Sequence, residues 1–209
     1  MNKRLLIATL IITASMLLSA QEKRDALKNF REGKYKVAID ITLEEIETLP
    51  DSSLRAKMDA YTVLLWSLIV EKRYDEAITY GNRAKDLSPY DSRITEALGE
   101  AYYFKGSASN ALKFFELYTV QAPLGDRIAR VYNFMGEIYI TQAKYNHADI
   151  AFSTALYHAP SVTRWWYRLG YSRELAEDFK GAETAYNKAL DLDPSFAEAT
   201  RALNRIRTR

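Results

Sequence analysis

The stretch Trp165-Trp166-Tyr167-Arg168-Leu169-Gly170, continued through Ala182, Tyr186, Ala189 and Pro194, decides the fold. Its landmarks recur along the chain. Each of the five prolines (Pro50, Pro89, Pro123, Pro160, Pro194) has an alanine twelve residues before it: Ala38, Ala77, Ala111, Ala148 and Ala182. Three of them also have a glycine twenty-four residues before, at Gly99, Gly136 and Gly170. Successive prolines are 39, 34, 37 and 34 residues apart. A period of this length marks a chain of stacked helix-pair units, each too small to bury its own apolar face.

The spacing predicts five units. The first, over 21–52, is degenerate: Ala26, Leu27 and Phe30 share one face of a helix that breaks at Gly33, and the second helix runs from Tyr35 to Leu49. The second spans 58–91 after an insertion at 53–57, with Tyr61, Leu64, Leu65 and Leu68 as its inner stripe. The third spans 92–125, the fourth 129–162 and the fifth 163–196. Residues 197–209 read as a capping helix and tail, with Phe196, Ala199, Leu203 and Ile206 on one apolar face.

The residue types fit such packing. A glycine inside a helix costs about 1 kcal/mol relative to alanine, so Gly99, Gly136 and Gly170 imply close approach of a second helix. Ala111, Ala148 and Ala182 are the expected counterparts, with Phe115, Phe152 and Tyr186 filling the space between units. Each proline ends a second helix, because it lacks a backbone donor and clashes with the preceding turn.

Repeats two to five resemble tetratricopeptide repeats on these residues, over about 58–196, and the first repeat resembles them more weakly. The resemblance implies an all-α, right-handed superhelical solenoid of antiparallel helix pairs closed by the C-terminal helix. It also implies a concave groove, lined by the first helix of each pair, that holds a segment of another protein.

Carried onto this sequence, the groove positions are Trp66, with Asp59 and Thr62, in the second repeat, and Arg93, Glu96, Glu100 and Tyr103 in the third. The fourth offers Arg130, Asn133 and Glu137, and the fifth Arg164, Tyr167 and Tyr171. Arginine and aromatic residues dominate binding hot spots. Arg93, Arg130 and Arg164 share one slot and imply a ladder, read either as a track for a partner or as ion pairs that fix the stacking. The family's best-known groove clamps a C-terminal carboxylate with lysine and asparagine. The corresponding slots here hold Trp66, Glu100, Glu137 and Tyr171, which points away from that ligand.

Composition narrows the function. There is no cysteine, hence no disulfide, thiolate metal site or lipidated cysteine. The two histidines alone do not make a zinc site. Trp165 and Trp166 read as packing, His147 and His158 as structural. Arg201, Arg205, Arg207 and Arg209 read as a solvated helix end or a contact for anionic lipid. Removing Lys3 and Arg4 from the 29 basic residues leaves 27, equal to the 27 acidic ones, a balance unlike that of a nucleic-acid binder. No metal cluster, nucleophile–base pair or phosphate loop is spaced for catalysis, so neither enzyme chemistry nor a cofactor is expected.

Met1–Arg4 is basic and Leu5–Leu18 is apolar apart from Thr9, Thr13 and Ser15, followed by Ser19-Ala20-Gln21. This is the pattern of a secretory signal peptide over residues 1–20, cut after Ala20. The alternative is an uncleaved anchor, although a span needs roughly 20 apolar residues. The expectation is an exported, non-enzymatic scaffold, periplasmic or envelope-associated, whose partner is another envelope protein and whose contact with membrane runs only through a retained N-terminus. The other reading is an accessory ligand-binding subunit of a periplasmic solute-uptake transporter.

Overall fold

A computed structural model describes residues 25–208. The expected signal peptide lies outside them. The described residues form helices and turns, with no strand among them. The described residues divide into two compact units, 25–105 and 106–208.

In the first unit, α1 (Ala26–Arg31) pairs with α2 (Tyr35–Thr48), and α3 (Leu54–Val70) pairs with α4 (Tyr74–Leu87). Helix α5 (Ser92–Phe104) then packs on both α3 and α4. The core runs through Ile39, Leu64, Leu65, Leu68, Ala77 and Leu98, all fully buried or nearly so. Residues 53–57, set aside above as an insertion, mostly extend a helix instead. Helix α3 starts at Leu54 and has 17 residues, against 13 in α5.

In the second unit, α6 (Ala108–Gln121) packs on α7 (Ile128–Thr141), which pairs with α8 (Tyr145–His158). Helices α9 (Thr163–Leu175) and α10 (Phe179–Leu192) form the next pair, and α11 (Ala197–Arg207) closes the unit against both. Its buried face is Ala199, Ala202, Leu203 and Ile206, with Phe196 packed alongside. Arg205 bonds the Glu174 carboxylate through two nitrogens, at 2.7 and 2.6 Å, and Arg207 bonds Glu183. These two arginines fasten the capping helix.

Helix ends follow from local chemistry. Each second helix stops two residues before its proline, because the residue preceding a proline is driven into extended backbone. Ser88, Ala122, Ala159 and Asp193 all have φ near −140° there. The turn between the two helices of each pair carries one left-handed residue, always five before the repeat alanine. These are Gly33, Lys72, Gly106, Ala143 and Glu177, with φ of 76°, 60°, 85°, 55° and 64°. In four of the turns the next N–H reaches back five positions, as Lys144 does to the Tyr139 carbonyl at 2.9 Å, which satisfies an orphan carbonyl of the first helix.

A side chain in this conformation costs roughly 1–2 kcal/mol through its Cβ, and glycine escapes that strain. Ala143→Gly is therefore expected to stabilise the protein by about 0.5–1 kcal/mol after the added flexibility of the unfolded chain. Thermal unfolding checks it, and a melting temperature that stays level or falls would show that the turn is not strained.

The glycines inside helices make room for rings. A Cβ on Gly136 would lie 2.8 Å from the Phe152 ring, and one on Gly170 would lie 2.6 Å from that of Tyr186. Their partners are thus the aromatics one turn beyond Ala148 and Ala182, not the alanines expected above. Those alanines are themselves fully buried.

Candidate functional site

An open apolar concavity of the first unit follows from the shortness of α1. With six residues, α1 leaves the second half of the 14-residue α2 and the first half of α3 without cover on one side among the described residues. The result is a cleft of about 560 Å³. Leu27 and Leu49 form one side, Ala56, Ala60 and Val63 the other, and Trp66 closes an end. Trp66 is half-buried, its ring 5.8 Å from that of Phe30.

The polar groups of the cleft are mostly acids. Asp25 caps α1, accepting from the Lys28 N–H at 2.9 Å. Arg93 bonds Asp91 through two nitrogens and reaches Asp59 across the cleft mouth, so its charge is answered within the protein. The hydrogen bond to Asp91, foremost, raises its pKa.

Glu45 is different. Among the described residues no cation pairs with it. Desolvation, then the charges of Asp25 and Glu44, raise its carboxyl above the usual range. A raised carboxyl favours the folded state fully below the ordinary value and loses that contribution as pH climbs through the raised one. At neutral pH the charged Glu45 is a net liability. Glu45→Gln should therefore raise stability at pH 7 and change it little near pH 3, as urea titrations at the two values would register. Equal effects at both would remove the electrostatic account.

Several groove positions of the second unit are already engaged. Glu137 pairs with Arg168, whose Nε donates to it at 2.6 Å. Arg168 also lies 5.1 Å from the Tyr171 ring centre, and Tyr171 stacks on Tyr167 at 6.4 Å. Tyr167 in turn packs against Tyr186 and Phe196, both at 5.7 Å. Tyr167 is thus part of the seat of the capping helix. Arg130 and Arg164 are exposed and sit over the rings of Phe134 and Phe196. Asn133 is half-buried.

The structure brings Trp66, Arg93, Asp59 and Thr62 together at one cleft. It removes Glu96 and Glu100 from an open groove, since both are buried, at 0% and 2% exposure. The correction has a simple cause: both lie in a run from Ile94 to Ala101 that is buried throughout. Tyr103 is half-buried against Phe104, at 5.2 Å. In the shared arginine slot Arg93 pairs with acids, and Arg130 and Arg164 lie over rings. Sequence reasoning missed Glu45 and Leu49, because second-helix residues are not groove positions in the family. The signal was there in the short first helix.

Other candidates resolve as packing. Trp166 donates its ring N–H to the Pro160 carbonyl at 2.8 Å, and with Trp165 it flanks the cluster around Phe152 and Leu169. His147 lies 5.4 Å from the Tyr139 ring and His158 5.2 Å from that of Tyr157.

Antiparallel helix pairs with a glycine–aromatic seam and an end helix define a helix-pair repeat protein. Residues 129–161 and 163–196 each match the tetratricopeptide repeat family, and the chain is a tetratricopeptide-repeat protein. No curated protein matches it in sequence. Its fold is similar to that of MamA 41-end from Desulfovibrio magneticus RS-1, with a TM-score of 0.71 at 19% identity over 85% of this chain and 96% of that one. BtubC from P. vanneervenii has a TM-score of 0.69 at 18% identity, covering 82% of this chain and 78% of that one. YrrB, described as a TPR protein with an unusual peptide-binding site, has 0.66 at 16% identity, covering 85% and 87%. The repeats make the chain a protein–protein interaction scaffold, and proteins of this fold are generally not catalysts. Among the described residues no helix is long and apolar enough to cross a membrane.

Proposed function

We propose that this protein is a non-enzymatic scaffold of the cell envelope that holds a segment of another envelope protein in the cleft beside α1. The observation that carries the reading is the cleft itself: apolar walls, an aromatic end and a rim of acids, on a repeat type built for protein contacts. The envelope location is supported by the basic start and apolar stretch at Leu5–Leu18.

In-cell photo-crosslinking from position 59, at the exposed rim, tests it. One dominant envelope-protein adduct is expected, lost when exposed Ala56 in the cleft wall is replaced by Trp. A folded product that yields no protein adduct would end the scaffold reading. The cleft volume also falls in the range of small-molecule sites, which favours the transporter-subunit reading as the alternative. Native mass spectrometry separates the two, because that reading requires a co-purified small molecule.

A further inference from the structure

We propose that the cleft receives about two turns of an amphipathic helix from a partner protein, docked by its apolar face and bearing a lysine or arginine opposite Glu45. The inference rests on the scaffold reading and names the chemistry of the segment that the scaffold holds.

The first argument is length. At 1.5 Å per residue, α1 extends about 9 Å and its neighbour α2 about 21 Å. The uncovered difference is about 12 Å, or roughly eight residues of helix, which is two turns. Asp25 ends α1 firmly, with extended backbone (φ −81°, ψ 100°) and a side chain that caps the helix. The space beyond it is flanked by two helices, α2 and α3, which line it with half-buried Leu49, exposed Ala56 and the buried Ala60 and Val63. A third helix laid between them would complete the packing that every later unit has from its own first helix. An amphipathic helix offering side chains at i, i+3, i+4 and i+7 fits such a groove.

The second argument is charge. The cationic group of the cleft, Arg93, is committed to Asp91 and Asp59. Glu45 faces Asp25 and Glu44, with no cation paired to it among the described residues. An unanswered carboxylate beside an apolar wall selects an incoming lysine or arginine and disfavours an acid. The stability that Glu45 gives up in the free protein is the kind of local conflict that binding sites retain.

Fluorescence anisotropy with the full chain and two labelled amphipathic 14-residue peptides tests this. Both carry leucine at i, i+3, i+4 and i+7, and they differ in one flanking residue, lysine or glutamate. The lysine peptide should bind about fivefold to tenfold more tightly. Glu45→Lys should reverse the preference, and Glu45→Gln should abolish it, with thermal melts showing that both variants fold. Equal affinity for the two peptides, or a preference that survives Glu45→Lys, overturns the inference while leaving the cleft crosslink, and so the scaffold reading, intact. A photo-crosslink from position 59 to the chain's own residues before Asp25 assigns the cleft to that segment and overturns the partner helix. Loss of every protein adduct from position 59 is the separate result that removes the scaffold reading itself.

Discussion

Tyr186→Ala is expected to destabilise the protein by about 4–5 kcal/mol, a large share of the roughly 5–15 kcal/mol that holds an ordinary domain together. Tyr186 is fully buried, and its ring fills the space over Gly170. Removing a buried aromatic costs about 3–5 kcal/mol in lost transfer energy and cavity. Its hydroxyl also donates to Glu174 at 2.7 Å, and Glu174, only 8% exposed, in turn holds Arg205 of the capping helix. Hydrogen bonds to a charged partner contribute about 1.5–3 kcal/mol. Tyr186→Phe separates the two effects. It keeps the ring and leaves Glu174 bonded to Arg205, so it should cost only about 1–2 kcal/mol.

The location of the damage is also specified. Stability in a repeat protein is carried between neighbours, so α10 and α11 should lose amide-exchange protection before α7 and α8. Uniform loss of protection would show that the end unit is not a separate weak point. The same tyrosine has a pH signature. Burial, then the bond to the Glu174 carboxylate, raises its pKa above the ordinary tyrosine value. The unfolded chain therefore ionises first, and the stability this group confers is whole below about pH 10 and declines above it. Tyr186→Phe should flatten that alkaline decline in urea titrations between pH 8 and 11. An identical slope in both proteins would mean that Tyr186 is not the group responsible.

The fold was legible because its determinants are local and periodic. Proline at a fixed distance from alanine sets helix length, and glycine with an aromatic sixteen residues later sets helix contact. The left-handed turn slot was not legible, since Lys72, Ala143 and Glu177 occupy it as readily as Gly33 and Gly106. Its geometry is imposed by the helices on either side, and propensity yields to that. The candidate site was legible only in part. Trp66 and Arg93 do line a cleft, but family positions cannot tell an open carboxylate from a buried one, as Glu96 and Glu100 demonstrate. Nor can they show that Tyr167 is spent on the capping helix. Glu45 emerges only when the six-residue α1 is seen beside the 14-residue α2.

Gly170→Ala is expected to destabilise the protein by about 2–3 kcal/mol, although alanine gains about 1 kcal/mol as a helix former. The new methyl would stand 2.6 Å from a Tyr186 ring that is fixed on all sides, so backbone must move. Gly136→Ala, at 2.8 Å from Phe152, should behave alike. Gly81 provides the contrast. It occupies in α4 the slot that Phe115, Phe152 and Tyr186 hold in later second helices, and Leu65 occupies the slot of Gly136 and Gly170. The large and small partners have changed places, which keeps the volume between the two helices nearly constant. A Cβ on Gly81 would meet Leu98 Cδ2 at 2.5 Å and Cγ at 2.8 Å, and Leu65 Cδ2 at 3.1 Å, aliphatic branches that can turn aside more readily than a ring. Gly81→Ala should therefore cost less than about 1 kcal/mol, the propensity gain cancelling most of the strain. Urea denaturation of the three variants decides the matter. If all three lose the same stability, then loss of helix room in general, not ring-over-glycine packing, governs the seam. If Gly170→Ala is neutral, the seam is loose, and the aromatic contacts that seat the capping helix have to be held by Glu174 and Arg205 instead.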